Sequence, residues 1–251
     1  MKRKKIWKVI RIIWISSGLL SMIWLWSNFW PRDIEDKVFQ SDEKVLVQET
    51  ESMLSFLSTE ASDTEVIFYP GGMVNPISYA PLARKLAESG YSVHIIRMPW
   101  RMATKGYKQI LDLFDLNDPE KKYVLGGHSQ GAKMAAQFVY EHPSLMKGLY
   151  LLGTSHPRDI DMSEIEIPCV KLYAELDGQA SVGEVMQNKE LMPKGSEMIM
   201  IAGGNHSQFG NMGKLFMDDS PKIDRIEQQE IVREHLLEFL NKLEVDVVKT
   251  K

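Results

Sequence analysis

The chain has 251 residues, 44% of them hydrophobic and 25% charged, with a formal net charge of -4. That composition excludes a disordered chain, a collagen-like repeat and a disulfide scaffold, and it allows one domain of ordinary size or two small ones. The single cysteine, Cys169, excludes an internal disulfide and a multi-cysteine zinc site.

The averages hide an uneven distribution. Five of the six tryptophans and six of the thirty Lys and Arg lie in the first thirty residues, with no acid before Asp33. Those six removed, 24 basic residues face 34 acidic ones, a charge of -10. A surface of that sign repels phosphates, so no nucleic-acid partner is expected. Residues 1–11 are basic, and residues 12–30 hold nineteen positions without a charge. As a helix the uncharged run spans roughly 28 Å, close to the hydrocarbon thickness of a bilayer. A single transmembrane anchor is therefore expected at 12–30, with Trp24, Trp26 and Trp30 at the membrane-water interface. The basic cluster keeps 1–11 cytoplasmic and sends the remainder outward from the cell membrane. A cleaved signal peptide shares this pattern, but cleavage needs small residues, and Trp26 to Pro31 offers bulky aromatics instead. Residues 31–43 are charged and aperiodic, which predicts a juxtamembrane linker, so a chain begun near Glu35 is expected to keep the whole core.

From residue 44 to 251 one domain is expected. Val45 to Val47 reads as an edge strand, and Glu65 to Tyr69 as a strand closed by Pro70-Gly71-Gly72. Ile77 to Glu88 carries helical spacing and stops before Gly90, and Tyr91 to Ile96 is a further strand. Tyr107 to Phe114 reads as a helix, Lys122 to Leu125 as a strand and Gln130 to Tyr140 as a helix. Strands follow at Gly148 to Leu152, Pro168 to Tyr173 and Glu197 to Ile201, and an amphipathic helix at Ile226 to Leu243 closes the chain. Such regular alternation implies parallel crossover units, hence a three-layer α/β sandwich with a mostly parallel central sheet.

The chemistry concentrates at Gly127-His128-Ser129-Gln130-Gly131, a G-x-S-x-G at a strand-to-helix junction. A serine there sits on a strained turn with its hydroxyl above the sheet, and flanking glycines avoid collisions with neighbouring elements. The N–H of Gln130, at a helix start, then points toward an oxyanion formed on Ser129. A serine hydroxyl needs a base and an orienting carboxylate, which in this arrangement follow in the order serine, acid, histidine. Of the downstream histidines, His235 belongs to the closing helix and His156 leaves little chain for an acid. His206, in the glycine-rich loop after Glu197 to Ile201, is the expected base. The preceding strand runs into Glu175-Leu176-Asp177-Gly178, and Asp177 is favoured over Glu175 because Gly178 permits a tight turn. The second oxyanion donor is expected at Gly72 or Met73.

With these motifs in hand, the chain resembles the α/β-hydrolase-fold proteins, close to the dienelactone-hydrolase-like group of bacterial hydrolases. The resemblance runs from about Val45 onward and rests on Tyr-Pro-Gly-Gly at 69–72, Gly-His-Ser-Gln-Gly at 127–131, Glu-Leu-Asp-Gly at 175–178 and Gly-Gly-Asn-His-Ser-Gln-Phe-Gly at 203–210. It implies carboxylic-ester hydrolysis through an acyl-enzyme, with Ser129, Asp177 and His206 as the triad. Dienelactone hydrolases proper use a cysteine nucleophile, so their narrow substrate is not carried over.

Only thirteen residues, Ser155 to Ile167, separate the strand at Leu152 from the acid strand, so no large lid is expected. An open, shallow site for a small or medium ester follows, with Met73, Trp100 and Phe209 as candidates for an apolar wall. No metal or other cofactor is implied, since His156 and His206 lack partners at ligand spacing, and Cys169 reads as a buried apolar residue. Two rival functions share these features: another serine acyl-transfer enzyme (thioesterase, peptidase or acyltransferase) and a non-catalytic surface binding module.

Overall fold

The computed structural model describes residues 2–60 and 62–248; Met1 and residues 249–251, the ends expected of the basic segment and of the domain, lie outside them. Helix α1 (Lys2–Ser27) leads the chain. The body is an eight-stranded sheet: β1 (Val45–Glu49), β2 (Met53–Ser58), β3 (Thr64–Tyr69), β4 (Ser92–Ile96), β5 (Lys122–His128), β6 (Gly148–Leu152), β7 (Cys169–Ala174) and β8 (Glu197–Ile201). Its spatial order is β1-β2-β4-β3-β5-β6-β7-β8; β2 pairs antiparallel with both β1 and β4, and the other pairs are parallel. This is the mostly parallel α/β sandwich that the alternation of patterns predicts.

Strands β3 to β7 are almost wholly buried, as expected of a parallel sheet covered on both faces. One face packs against α2 (Ala80–Glu88) and α7 (Arg225–Val248), through residues such as Leu82, Leu86, Val232, Leu236 and Phe239. The other packs against α5 (Gln130–Glu141), where Ala132, Ala135 and Ala136 let the helix lie close to the sheet. Cys169 is buried in β7, and burial pushes its thiol up to about 12. Three short helices, α3 (Ala103–Gly106), α4 (Ile110–Leu113) and α6 (Val182–Gln187), complete the set.

Three elements differ from the sequence pattern. Strand β2 is unforeseen because its serines interrupt the apolar run; one of them, Ser55, is buried and hydrogen-bonds His94 at 2.9 Å. The expected helix at Tyr107 to Phe114 is instead a 3-10 turn at Tyr107–Gln109 followed by the single turn of α4. Helix α6 is too short for a periodic signal, and a capping box formed by Ser181 and Glu184 starts it.

Helix α1 is long and apolar enough from Arg3 to Ser27 to cross a membrane, and that stretch is not buried against the body. The uncharged run outlasts the helix, however. Asn28 is buried, its carbonyl accepts from Gly213 N–H at 2.9 Å, and the Phe29 carbonyl accepts from Asn75 N–H at 3.0 Å. Pro31 bridges Met212, and Arg32 N–H donates to the Asn211 carbonyl at 2.9 Å. Trp26 and Trp30 flank the Arg101 guanidinium, at 5.9 and 4.8 Å from their ring centroids. The 31–43 stretch, read above as a linker, lies along the body too: Arg84 donates to the carbonyls of Val38 and Gln40 and pairs with Asp42. Body contacts therefore begin at about Trp26, not Glu35.

A chain begun at Trp26 is expected to melt at the same temperature as one carrying α1. One begun at Glu35 loses three backbone hydrogen bonds and the Phe29 contact, about 3 kcal/mol, and is expected to melt roughly 6–12 °C lower. Thermal unfolding of the two truncations checks this.

Candidate functional site

Successive strands step outward from β3 in one direction through β4 and in the other through β5, so the sheet's direction of growth reverses between β3 and β5. At such a switch point the loops beyond the carboxyl ends part and leave a crevice. The sequence motifs converge there.

Ser129 follows β5 directly with φ 54° and ψ -118°, and its N–H continues the ladder to the Leu152 carbonyl at 2.9 Å. A side chain on Gly127 would come within 2.2 Å of the Tyr69 carbonyl oxygen, and one on Gly131 within 2.0 Å. The elbow therefore packs on the end of β3 at a distance only glycine allows. Left-handed backbone recurs at Met73, Trp100 and Arg101, with φ of 66°, 57° and 54°. These loops and the elbow lie close together, and such strain persists only where surrounding structure enforces it.

His206 and Asp177 meet as a buried pair, Nδ1 to Oδ2 at 2.8 Å. The other carboxylate oxygen, Oδ1, accepts from the N–H groups of Gln179 and Ala180, at 2.8 and 2.7 Å, which fixes the carboxylate's plane. Glu175 turns away, accepting from Gly203 N–H at 2.8 Å. The second ring nitrogen of His206, Nε2, is buried without a hydrogen-bond partner among the described residues. Ser129, Gln130 and His206 all line one open cavity of about 320 Å³.

The loop after β3 distinguishes its amides. Met73 N–H donates to the Arg101 carbonyl at 2.8 Å, and Gly71 N–H to the Tyr79 hydroxyl at 3.1 Å. Gly72 N–H has no hydrogen-bond partner among the described residues, and Gly72 packs on the side chain of Gln130, which lines the cavity. The apolar wall expected from Met73, Trp100 and Phe209 is not there: none of the three lines the cavity, Trp100 is 87% exposed and Phe209 is buried against His128. His156 does line it, on the irregular segment between β6 and β7. Among the described residues no group of three or more His, Cys, Asp or Glu is placed to hold a metal ion.

Two contributors escape the sequence pattern. His128 lies fully buried beneath the elbow, its ring 4.5 Å from that of His206 and its Nδ1 2.8 Å from the Tyr79 hydroxyl. Burial first, and the neighbouring His206 second, hold it well below the usual imidazole range. It is thus an uncharged support packed against the His206 ring, and through Tyr79 it joins the elbow to Gly71. Asp218 is also buried. One carboxylate oxygen accepts from the N–H groups of Gly178 and His206, each at 3.2 Å; the other accepts from Ser207 N–H at 2.8 Å and the Ser207 hydroxyl at 2.6 Å. It thereby clamps the loop carrying Asp177 to the loop carrying His206. Within Met-Asp-Asp-Ser at 217–220 no sequence signal separates it from its exposed neighbour Asp219.

A model of the alpha/beta hydrolase family matches residues 65–230. Among curated protein sequences none matches the chain. Among solved structures, an alpha/beta hydrolase from a metagenome of sediments of the Mar Chica lagoon, Morocco, is 14% identical with a TM-score of 0.59, over 78% of this chain and 98% of that one. An alpha-beta serine hydrolase homologue from Coxiella burnetii is 14% identical with a TM-score of 0.53, over 79% and 99%. Est1E from Butyrivibrio proteoclasticus is 13% identical with a TM-score of 0.56, over 79% and 100%. At these identities the likeness is one of fold.

Asp218→Asn puts an amide N–H₂ where N–H donors converge. It is expected to cost about 2–4 kcal/mol, read as a fall in melting temperature of roughly 5–15 °C. Ser207→Ala, which keeps the backbone bond, is expected to cost less than half of that.

Proposed function

Because the chain belongs to the alpha/beta hydrolase family, we propose that it is a serine hydrolase cleaving a carboxylic ester through an acyl-enzyme on Ser129. The observation that carries this is the buried His206–Asp177 pair: His206 lines the same cavity as Ser129, and its Nε2 has no hydrogen-bond partner among the described residues. Asp177, accepting at Nδ1, keeps the proton on that nitrogen and leaves the Nε2 lone pair to take the serine proton. As Ser129 Oγ adds to the ester carbonyl, negative charge builds on the carbonyl oxygen. In this reading the N–H groups of Gln130 and Gly72 meet it, which is supported by the Met73 N–H being engaged with the Arg101 carbonyl. Collapse of the tetrahedral intermediate expels the alcohol, protonated by His206, and water then attacks the acyl-enzyme with His206 again as base.

The same reading covers the anchor. Helix α1, with its basic start and its tryptophans near the far end, holds the body at the outer face of the cell membrane. Arg101 links this exit to the site, since its side chain lies between Trp26 and Trp30 and its carbonyl holds Met73. Protease added to intact cells is expected to digest the body and spare the basic segment. Protection of the whole chain overturns the outward orientation.

A fluorophosphonate is expected to label wild-type protein on Ser129, because its phosphorus adduct resembles the tetrahedral intermediate. Ser129→Ala abolishes both labelling and ester turnover, and Asp177→Asn lowers kcat on the order of 10⁴-fold by favouring the wrong imidazole tautomer. Glu175→Gln, which still accepts from Gly203, keeps most activity. A folded protein that resists the probe and hydrolyses no ester in a broad panel overturns the enzyme reading in favour of a binding module.

A further inference from the structure

The cavity beside Ser129 has an uneven chemistry that ester cleavage alone does not require. Among its lining residues only Ala180 offers an aliphatic side chain, whereas Lys133 and Arg158 bring two positive charges and no carboxylate lines it. Lys133 stands one helical turn beyond Ser129 on α5, its N–H bonded to the Ser129 carbonyl at 3.0 Å, so its stem rises on the nucleophile's side of the helix. Its ammonium is paired with the exposed Asp159 at 2.8 Å, whereas Arg158 has no ion-pair partner among the described residues. Two cations and the one nearby carboxylate, Asp159, leave the rim of the cavity with a surplus of positive charge.

From resting on the serine-hydrolase reading of this site, we infer that the ester it takes carries a carboxylate, bound by Arg158 with Lys133 beside it. The positive corner extends below the surface. Lys171, fully buried in β7, donates from its Nζ to the His156 carbonyl at 2.7 Å. Burial first, then the charges of Lys133 and Arg158, hold His156 down to about 4, with Asp159 opposing. At neutral pH the His156 imidazole is uncharged, and it adds hydrogen-bonding capacity without adding charge. Beyond the anchor the chain as a whole is acidic, at -10 with these cations included. A cation-lined cleft in an acidic body draws an anion to itself and away from the remaining surface. The guanidinium fork matches a carboxylate's two oxygens. A volume of about 320 Å³ suffices for a short ester with its carboxylate.

The binding test uses full-length Ser129→Ala protein in detergent, so that nothing is consumed. Monomethyl glutarate, a short ester ending in a carboxylate, is expected to bind at least tenfold more tightly than dimethyl glutarate at low salt. Adding Arg158→Gln is expected to erase that difference, and Lys133→Gln to reduce it. Equal binding of the two esters, or a preference that survives Arg158→Gln, overturns the inference. Turnover is then measured on wild-type protein with the 4-nitrophenyl monoester of glutaric acid and its methyl-capped neutral counterpart. Arg158→Gln is expected to raise KM for the charged ester roughly tenfold, leaving its kcat and the neutral ester unchanged. Selective binding without turnover of either ester keeps the carboxylate subsite and removes the hydrolase reading; turnover of both without preference does the reverse.

Discussion

The cleft depends on how closely β5 and the start of α5 approach the end of β3. The Tyr69 carbonyl lies where Cβ atoms on Gly127 and Gly131 would stand, so the chain turns within van der Waals contact of its neighbour. That contact forces Ser129 into a positive φ and lifts its side chain out of the sheet. It also sets the distance between Gln130 N–H and the Gly72 loop, because both hang from strands that pair in register, Tyr69 opposite Gly127. A methyl group at either glycine would part the two strands and separate these groups together.

Around this turn the protein buries an unusual amount of polarity and satisfies most of it. Asp177 and Asp218 each accept several hydrogen bonds, and the price of desolvating two carboxylates is offset by N–H donors from the same two loops. The consequence is rigidity: the loops after β7 and β8 cannot move independently while Asp218 spans them. His128 and Tyr79 do the same for the elbow and the loop after β3. Here the buried ring nitrogens Nε2 of His128 and Nε2 of His206 are left without a hydrogen-bond partner among the described residues, and His206 is the one of the two that lines the cavity.

The outer rim joins this site to the leading helix. Arg101 bonds Met73 through its backbone and contacts Trp26 and Trp30 through its side chain, so the segment leaving α1 and the loop after β3 share one residue. Movement of the helix relative to the body would therefore be felt at the loop, a coupling absent from a chain tethered by a free linker.

Local pattern was enough for much of this. A parallel sheet buries its strands on both faces, so β3 to β7 read as apolar runs, and the elbow advertises itself because glycine is the only residue its packing tolerates. The chain order of Ser129, Asp177 and His206 narrowed the acid and base to a few residues, and their pairing at 2.8 Å needed only the loop turns to bring them together. What the tertiary structure decided are properties that arise between segments distant in the chain. Met73 and Gly72 are alike in sequence as donors, and only the Arg101 carbonyl, brought in from another loop, removes one of them. Asp218 differs from Asp219 solely in which side of a turn faces inward. Residues 28–30 read as the end of the anchor and 31–43 as a solvated linker whose few apolar side chains have no period, yet both are held by backbone hydrogen bonds and by Arg84 of α2, which leave no mark in a sequence.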